Sequence, residues 1–182
     1  GSPGVTLLNL PGLVGGGLMT SGFVARLGAT AHGGVTVRIT SSNPEVLLVS
    51  ANTTTAGTPF VDIPVANGAT DASFAIHGVE GAQGTVTLTA TAPGFTQVQG
   101  TATVGDVGLQ LSGVSTSPTT LSPNDDFSVS IGVLNASGAV ASIQALRVGA
   151  PSVTVTVSHT NTAVGQLVTS AGTGQSRTVT IA

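Results

Sequence analysis

The chain has 182 residues, of which 6% are charged, with four Lys+Arg, seven Asp+Glu and a formal net charge of −3. All four cations are arginines, so no Lys–Asn isopeptide staple can form, and there is too little basic surface to neutralise nucleic-acid phosphates or to coat a membrane surface. The absence of Cys excludes disulfides, thiol catalysis and Cys-ligated zinc, and no apolar run reaches the length of a membrane span.

Apolar residues make up 40%, mostly Val, Ala, Leu and Ile, with five Phe, one Met and no Trp or Tyr. Small and β-branched side chains favour strands and thin cores between sheets. Disordered chains combine low hydrophobicity with high charge, so this composition is their opposite. No signal-peptide pattern precedes the first predicted strand.

Val5-Thr-Leu-Leu8 is predicted as a first strand, stopped by Pro11-Gly12. Leu13 to Gly22 is glycine-rich and is expected to be a loop or an irregular edge. Phe23, Ala25, Leu27 and Ala29 then share one face at period two. His32-Gly-Gly34 signals a turn, and Val35, Val37 and Ile39 make the next inward face. Asn43-Pro44 ends that strand, and Leu47 to Ser50 is a short edge candidate. Val61, Ile63 and Val65 alternate with Asp62 and Pro64, and proline's missing donor places that strand at an edge. Asn67-Gly68 is a turn pair. Ala72, Phe74 and Ile76, then Val86, Leu88 and Ala90, then Val98, Gly100, Ala102 and Val104 form three more faces. Short strands, regular turn signals and no helical period predict an antiparallel β-sandwich over residues 1–105.

Residues 106–182 read as a second domain, joined at Gly105-Asp106 by too few residues for a flexible tether. It repeats the first. Val35-Thr-Val-Arg-Ile-Thr-Ser-Ser-Asn43 returns as Val153-Thr-Val-Thr-Val-Ser-His-Thr-Asn161, an offset of 118 (35 to 153, 43 to 161). Phe23-Val-Ala-Arg-Leu-Gly28 returns as Phe127-Ser-Val-Ser-Ile-Gly132, an offset of 104 (23 to 127). The second copy therefore carries about fourteen extra residues (118 − 104), placed at Ala136 to Ala150. Within them Ala139 to Leu146 is either a strand or one helical turn. Ser117 to Asp126 is a loop. Thr178 to Ile181 answers to the Phe60–Val65 strand, and no counterpart of the last three strands follows it. Three readings stand: the sequence is part of a longer repeat array, a neighbouring chain supplies the missing strands, or the insertion and Val164 to Ser170 complete a smaller sandwich.

Three stretches carry a family resemblance: Val35-Thr-Val-Arg-Ile-Thr-Ser-Ser-Asn-Pro-Glu-Val46, Asn67-Gly-Ala-Thr-Asp-Ala-Ser-Phe74 and Gly84-Thr-Val-Thr-Leu-Thr-Ala-Thr-Ala-Pro-Gly-Phe95. The chain resembles bacterial Ig-like repeat domains of large secreted or cell-surface proteins. The likeness covers nearly all of residues 1–105 and only part of 106–182, where Asn161-Thr162 replaces Asn-Pro. It implies all-β architecture, two tandem antiparallel Ig-like sandwiches with the second divergent or incomplete, and a spacer, stalk or adhesive module outside the cell. It implies no catalytic residue.

Candidate sites are sparse. His32, His77 and His159 lack metal-ligand spacing and read as solvated strand-end histidines. Asn124, Asp125 and Asp126 form the acidic cluster, a weak calcium candidate that an Asx turn explains as well. Glu45 with Asp62, or Asp71 with Glu80, are the carboxylate pairs a glycosidase would need, without an aromatic platform. Asn52-Thr-Thr54 and Asn135-Ala-Ser137 match the glycosylation sequon. Gly15-Gly-Gly17 lacks the Lys of a phosphate loop. The arginines are expected either to pair with the few carboxylates or to be simply exposed. Candidates for strand pairing between chains are Val5, Leu7, Thr178, Val179, Thr180 and Ile181. The composition and resemblance thus point to a non-enzymatic extracellular structural repeat, a spacer or fibre subunit whose partners are copies of itself or neighbouring repeats. The alternative is an adhesin or carbohydrate-binding module that takes a glycan on loops at one sandwich end, although the missing Trp and Tyr deprive it of stacking platforms.

Overall fold

Alternation at period two is realised along most of the chain, and the computed structural model of the protein is all-β. It describes residues 1–119, 121–161 and 163–182. Thr120, inside the predicted Ser117–Asp126 loop, and Thr162, of the Asn161-Thr162 pair, lie outside the described residues. No helix among the described residues is long and apolar enough to cross a membrane.

The strands before Asp106 are β1 (Val5–Leu8), β2 (Gly12–Gly15), β3 (Leu18–Leu27), β4 (Val35–Ser41), β5 (Leu47–Ser50), β6 (Phe60–Val65), β7 (Asp71–Gly78), β8 (Gly84–Thr91) and β9 (Val98–Gly105). They form two sheets, ordered β1-β3-β7-β5 and β2-β9-β8-β4-β6. Pro64 sits on the outermost strand of the second sheet, where a missing N–H leaves no gap in a ladder. Both sheets turn apolar faces inward. Leu18, Leu27, Phe74, Ile76, Val37, Ile39 and Leu88 are buried to 2% exposure or less. Each such side chain is worth about 1.5–3 kcal/mol relative to leaving it in water. Phe23 and Phe74 meet at 5.7 Å between ring centroids.

The glycine-rich stretch after Pro11, expected as a loop or an irregular edge, takes the second form. β2 runs through it as the edge strand of its sheet, parallel to β9, and β3 begins at Leu18. The glycines mark close backbone approach. Gly16 bridges Gly78, and a Cβ on Gly78 would strike the Gly15 carbonyl. Among the described residues the named strands of these two sheets are antiparallel apart from β2 with β9, and the isolated bridges Gly4↔Thr96 and Gly16↔Gly78 are parallel as well.

The later strands are β10 (Val107–Ser112), β11 (Ser128–Leu134), β12 (Val140–Ile143), β13 (Ala145–Leu146), β14 (Val153–Ser158), β15 (Leu167–Thr169), β16 (Gly172–Gly174) and β17 (Ser176–Ile181). They form the sheet β10-β11-β12 and the pairs β14-β17 and β15-β16. β13 adds to the first sheet through Ala145↔Met19 and Leu146↔Leu18. The insertion, open between strand and helical turn in the sequence, is thus two short strands.

The residues divide into two units, Gly1–Leu109 with Ile131–Ala150, and Gln110–Ser130 with Pro151–Ala182. The insertion is counted with the first unit, unlike a division at Gly105-Asp106. Among the described residues of the second unit, Val155 is the one buried apolar side chain, at 6% exposure. Leu111, Val114, Leu121, Val164 and Val168 there are more than half exposed.

Candidate functional site

Three of the chain's four arginines are each paired with a carboxylate. Arg26 stands directly across from Asp71, and Arg38 across from Asp62, in adjacent antiparallel strands. Each guanidinium donates two bonds, at 2.7 and 2.8 Å in the first pair and 2.7 and 2.6 Å in the second. Arg147 of the insertion grips Glu80 in the same fork, at 2.8 and 2.6 Å. The hydrogen bonds from Arg26 hold the Asp71 carboxyl down at about 2, and those from Arg38 and Arg147 lower Asp62 and Glu80. A carboxylate locked this way is a poor general acid or base at neutral pH. Neither imagined glycosidase pair has two available carboxyls. Arg38 also lies 4.3 Å from the centroid of the Phe60 ring, which takes the face a sugar would stack on.

His77 departs from its reading as a solvated strand-end residue. It lies in β7 between β3 and β5 and is fully buried. Five consecutive residues of β7, Phe74 to Gly78, are buried, so this strand is covered on both faces. His77 Nε2 is 2.7 Å from Ser50 Oγ, and the Ser50 hydroxyl donates to the Asn52 carbonyl. With its proton engaged, Ser50 accepts, so Nε2 carries the imidazole proton. That is the wrong tautomer for taking a proton from the serine. Burial, then the charge of Arg147, lowers the His77 pKa and keeps the ring neutral. The pair locks β7 to β5; both residues are 1% exposed or less and reach no substrate. The sequence hid this pair because a period-two count assigns His77 to the outward face.

His32 sits in its turn, with Nε2 2.8 Å from the Ala69 carbonyl and Nδ1 accepting from the Gly34 N–H. His159 is half-buried, and its Nε2 is without a partner among the described residues. No group of three or more His, Cys, Asp or Glu among the described residues could hold a metal ion. Of the calcium candidates Asn124, Asp125 and Asp126, Asp125 accepts the Ser115 N–H at 2.8 Å, ten residues back along the chain, rather than closing a local Asx turn. Asp126 lines a shallow depression of about 360 Å³ with Ser112, Gly113, Phe127 and Ser128. Both sequon asparagines cap their own turns. Asn52 Oδ1 accepts from the Thr54 N–H and hydroxyl, and Asn135 Oδ1 from the Ser137 N–H and hydroxyl.

Gln144 is the polar side chain that sequence reasoning passed over. It is 7% exposed, and its amide accepts the Gly15 N–H and donates to the Leu13 carbonyl, both at 2.9 Å. It thereby pairs with the β2 backbone as another strand would. A lone Gln within Val140–Leu146 was the available signal.

Of the strand-pairing candidates, Val5 and Leu7 lie in β1, where Val5 already donates its N–H to Thr96. Thr178 to Ile181 lie in β17, across from Val153 to Thr156 of β14.

No family model matches the chain, and no curated protein does either. Among solved structures, the S-layer protein SbsC, domains 5-6, is similar with a TM-score of 0.41 at 17% identity, covering 99% of this chain and 85% of that one.

Proposed function

We propose that the chain is a non-enzymatic structural repeat of a protein outside the cell or on its surface. Two Ig-like sandwiches in series, residues 1–105 and 106–182, set a distance and resist extension, and their partners are like modules. The observation that carries this reading is the fate of the reactive groups. Asp62, Asp71 and Glu80 are bound by arginines, and His77 is buried as a neutral donor. The surface is Thr-rich and poor in charge, with 6% charged residues in the whole chain, so it costs little to desolvate against another of its kind. The resemblance to bacterial Ig-like repeats supports the location.

A glycan-binding module is the competing reading. An open depression of about 590 Å³ lined by Thr36, Arg38, Asp62, Thr91, Ala92 and Pro93 is where its ligand would sit. Against it, Arg38 covers the Phe60 face and Asp62 holds Arg38. Pulling single molecules by atomic force, with a glycan array on the same sample, separates the two. The structural reading expects one cooperative force peak for the first unit and a blank array. A strong array hit lost on Arg38→Ala would sink it.

A further inference from the structure

The β14:β17 pair repeats β4:β6, with partners matched residue for residue: Val35↔Val65 becomes Val153↔Ile181, and Arg38↔Asp62 becomes Thr156↔Thr178. Antiparallel ladders alternate, so which backbone groups point outward can be read from one bond at each end. The Ser41 N–H donates to Pro59 O, so Val35, Val37 and Ile39 bond β6 while Thr36, Arg38 and Thr40 point the other way. The His159 N–H donates to Gln175 O, so Val153, Val155 and Val157 bond β17 while Thr154, Thr156 and Ser158 point away.

In the first repeat both outward edges are dealt with. On the β4 side, Arg38 and Thr40 meet β8 at Thr91 and Thr89. On the β6 side the outward positions are Asp62 and Pro64: a charge and a residue with no N–H to offer, both devices that stop a neighbouring strand from adding. In the second repeat neither edge is covered by another strand among the described residues. Among the described residues no strand pairs with β14 apart from β17, nor with β17 apart from β14. The counterparts of Asp62 and Pro64 are Thr178 and Thr180, both exposed, both uncharged and both with an N–H.

The two bare edges fit each other. We infer that the outer edge of β17 in one chain pairs with the outer edge of β14 in a second copy, antiparallel and in the register already used within the chain. Thr154, Thr156 and Ser158 of one copy then bond Thr180, Thr178 and Ser176 of the next. Val155 falls beside Val179, and Val153 beside Ile181, so the apolar and threonine faces both continue across the junction. No charge is desolvated except where Arg177 stands beside Val157, at the end of the strand. The contact is head-to-tail, so each addition exposes the same edge again and growth is open-ended. This rests on the structural-repeat reading and adds to it the edge and the occupant.

Light scattering and sedimentation of the full chain over a concentration series test it. Wild-type mass is expected to climb without a plateau. Thr180→Pro, which restores the first repeat's own proline, and Thr156→Pro are each expected to hold the chain as a monomer. Mixed in equal amounts, these two variants are expected to give a dimer and nothing larger, because each retains the edge the other has lost. If Thr156→Pro lowers the far-ultraviolet dichroism of the monomer, Thr156→Asp replaces it. A wild-type mass that stops at the dimer, a mixture that stays monomeric, or assembly that survives Thr180→Pro each overturns the inference. None of these outcomes changes the force trace or the array, which answer separately for the structural-repeat reading.

Discussion

The strand pairs β4:β6 and β14:β17 have the same alternation and the same register, yet they end in different surroundings. Val37 and Ile39 of the first are fully buried. In the second, Val155 is buried and Val179 across from it is 37% exposed. The difference does not lie in the strands. β4 has β8 and β9 continuing its sheet, with a second sheet that buries Phe74 and Leu27. β14 has β17. A period of two selects which side chains share a face; what lies over that face sets the burial, and β-propensity measures mainly this context.

The largest expected effects test whether that contrast is energetic. Phe74→Ala removes the largest fully buried side chain and is expected to destabilise the first unit by about 3–5 kcal/mol. Val155→Ala is expected to cost under about 1.5 kcal/mol, since little around it closes a cavity. Urea unfolding followed by circular dichroism reads both. Equal losses would mean that the second repeat holds a core of its own, and the comparison would fail. Next is Gln144→Ala, which strips partners from the Gly15 N–H and the Leu13 carbonyl at a cost of about 1–3 kcal/mol. Faster hydrogen exchange at the Gly15 amide should accompany it. Unchanged exchange would mean that the insertion does not anchor β2.

A smaller effect separates the repeats by pH. His77 belongs to the first unit, and burial holds its pKa below the usual 6.5. Between those two values the unfolded chain binds the proton and the folded chain does not, so stability rises with pH. The contribution is complete above about 6.5 and is lost as pH falls below that value. The Asp71 loss lies lower, beginning below its ordinary 3.8 and running toward about 2. Stability of the first unit between pH 7 and 5 should therefore decline in the wild type and flatten in His77→Gln. A slope that persists in the variant would assign it to another group.

Much of the first repeat was legible because its strands are half-buried, with one polar face to set the phase. Thr85-Val-Thr-Leu-Thr-Ala-Thr91 is such a strand. The misreadings and the open readings fall where that premise fails. β7 is covered on both faces, so His77 was placed outside. β2 is short and glycine-dense because two backbones pass within van der Waals reach at Gly78, and glycine in a sequence does not divide a loop from an irregular edge. The insertion's destination was invisible, since a long-range pairing such as Ala145↔Met19 leaves no local mark. The open edges were legible only by alignment of the repeat with itself, where Thr180 faces Pro64.

That last substitution gives the finest test of the comparison. If proline and charge are what guard β6, removing them should make it behave like β17. Pro64→Thr alone is expected to cost about 0.4–1 kcal/mol, because a proline in compatible backbone restricts the unfolded chain. It should not by itself cause assembly, since Asp62 still points outward. Adding Asp62→Thr and Arg38→Thr makes the edge uncharged, donor-complete and close to β17 in sequence. In a chain already blocked by Thr180→Pro, this triple change is expected to restore part of the concentration-dependent mass through β6 meeting β14 of a second copy. The recovery should be weaker than wild type, because Phe60 stands where Ser176 would and its ring crowds the junction. A chain that stays monomeric would show that missing guards are not sufficient, and that β17 pairs through something more particular than an open edge.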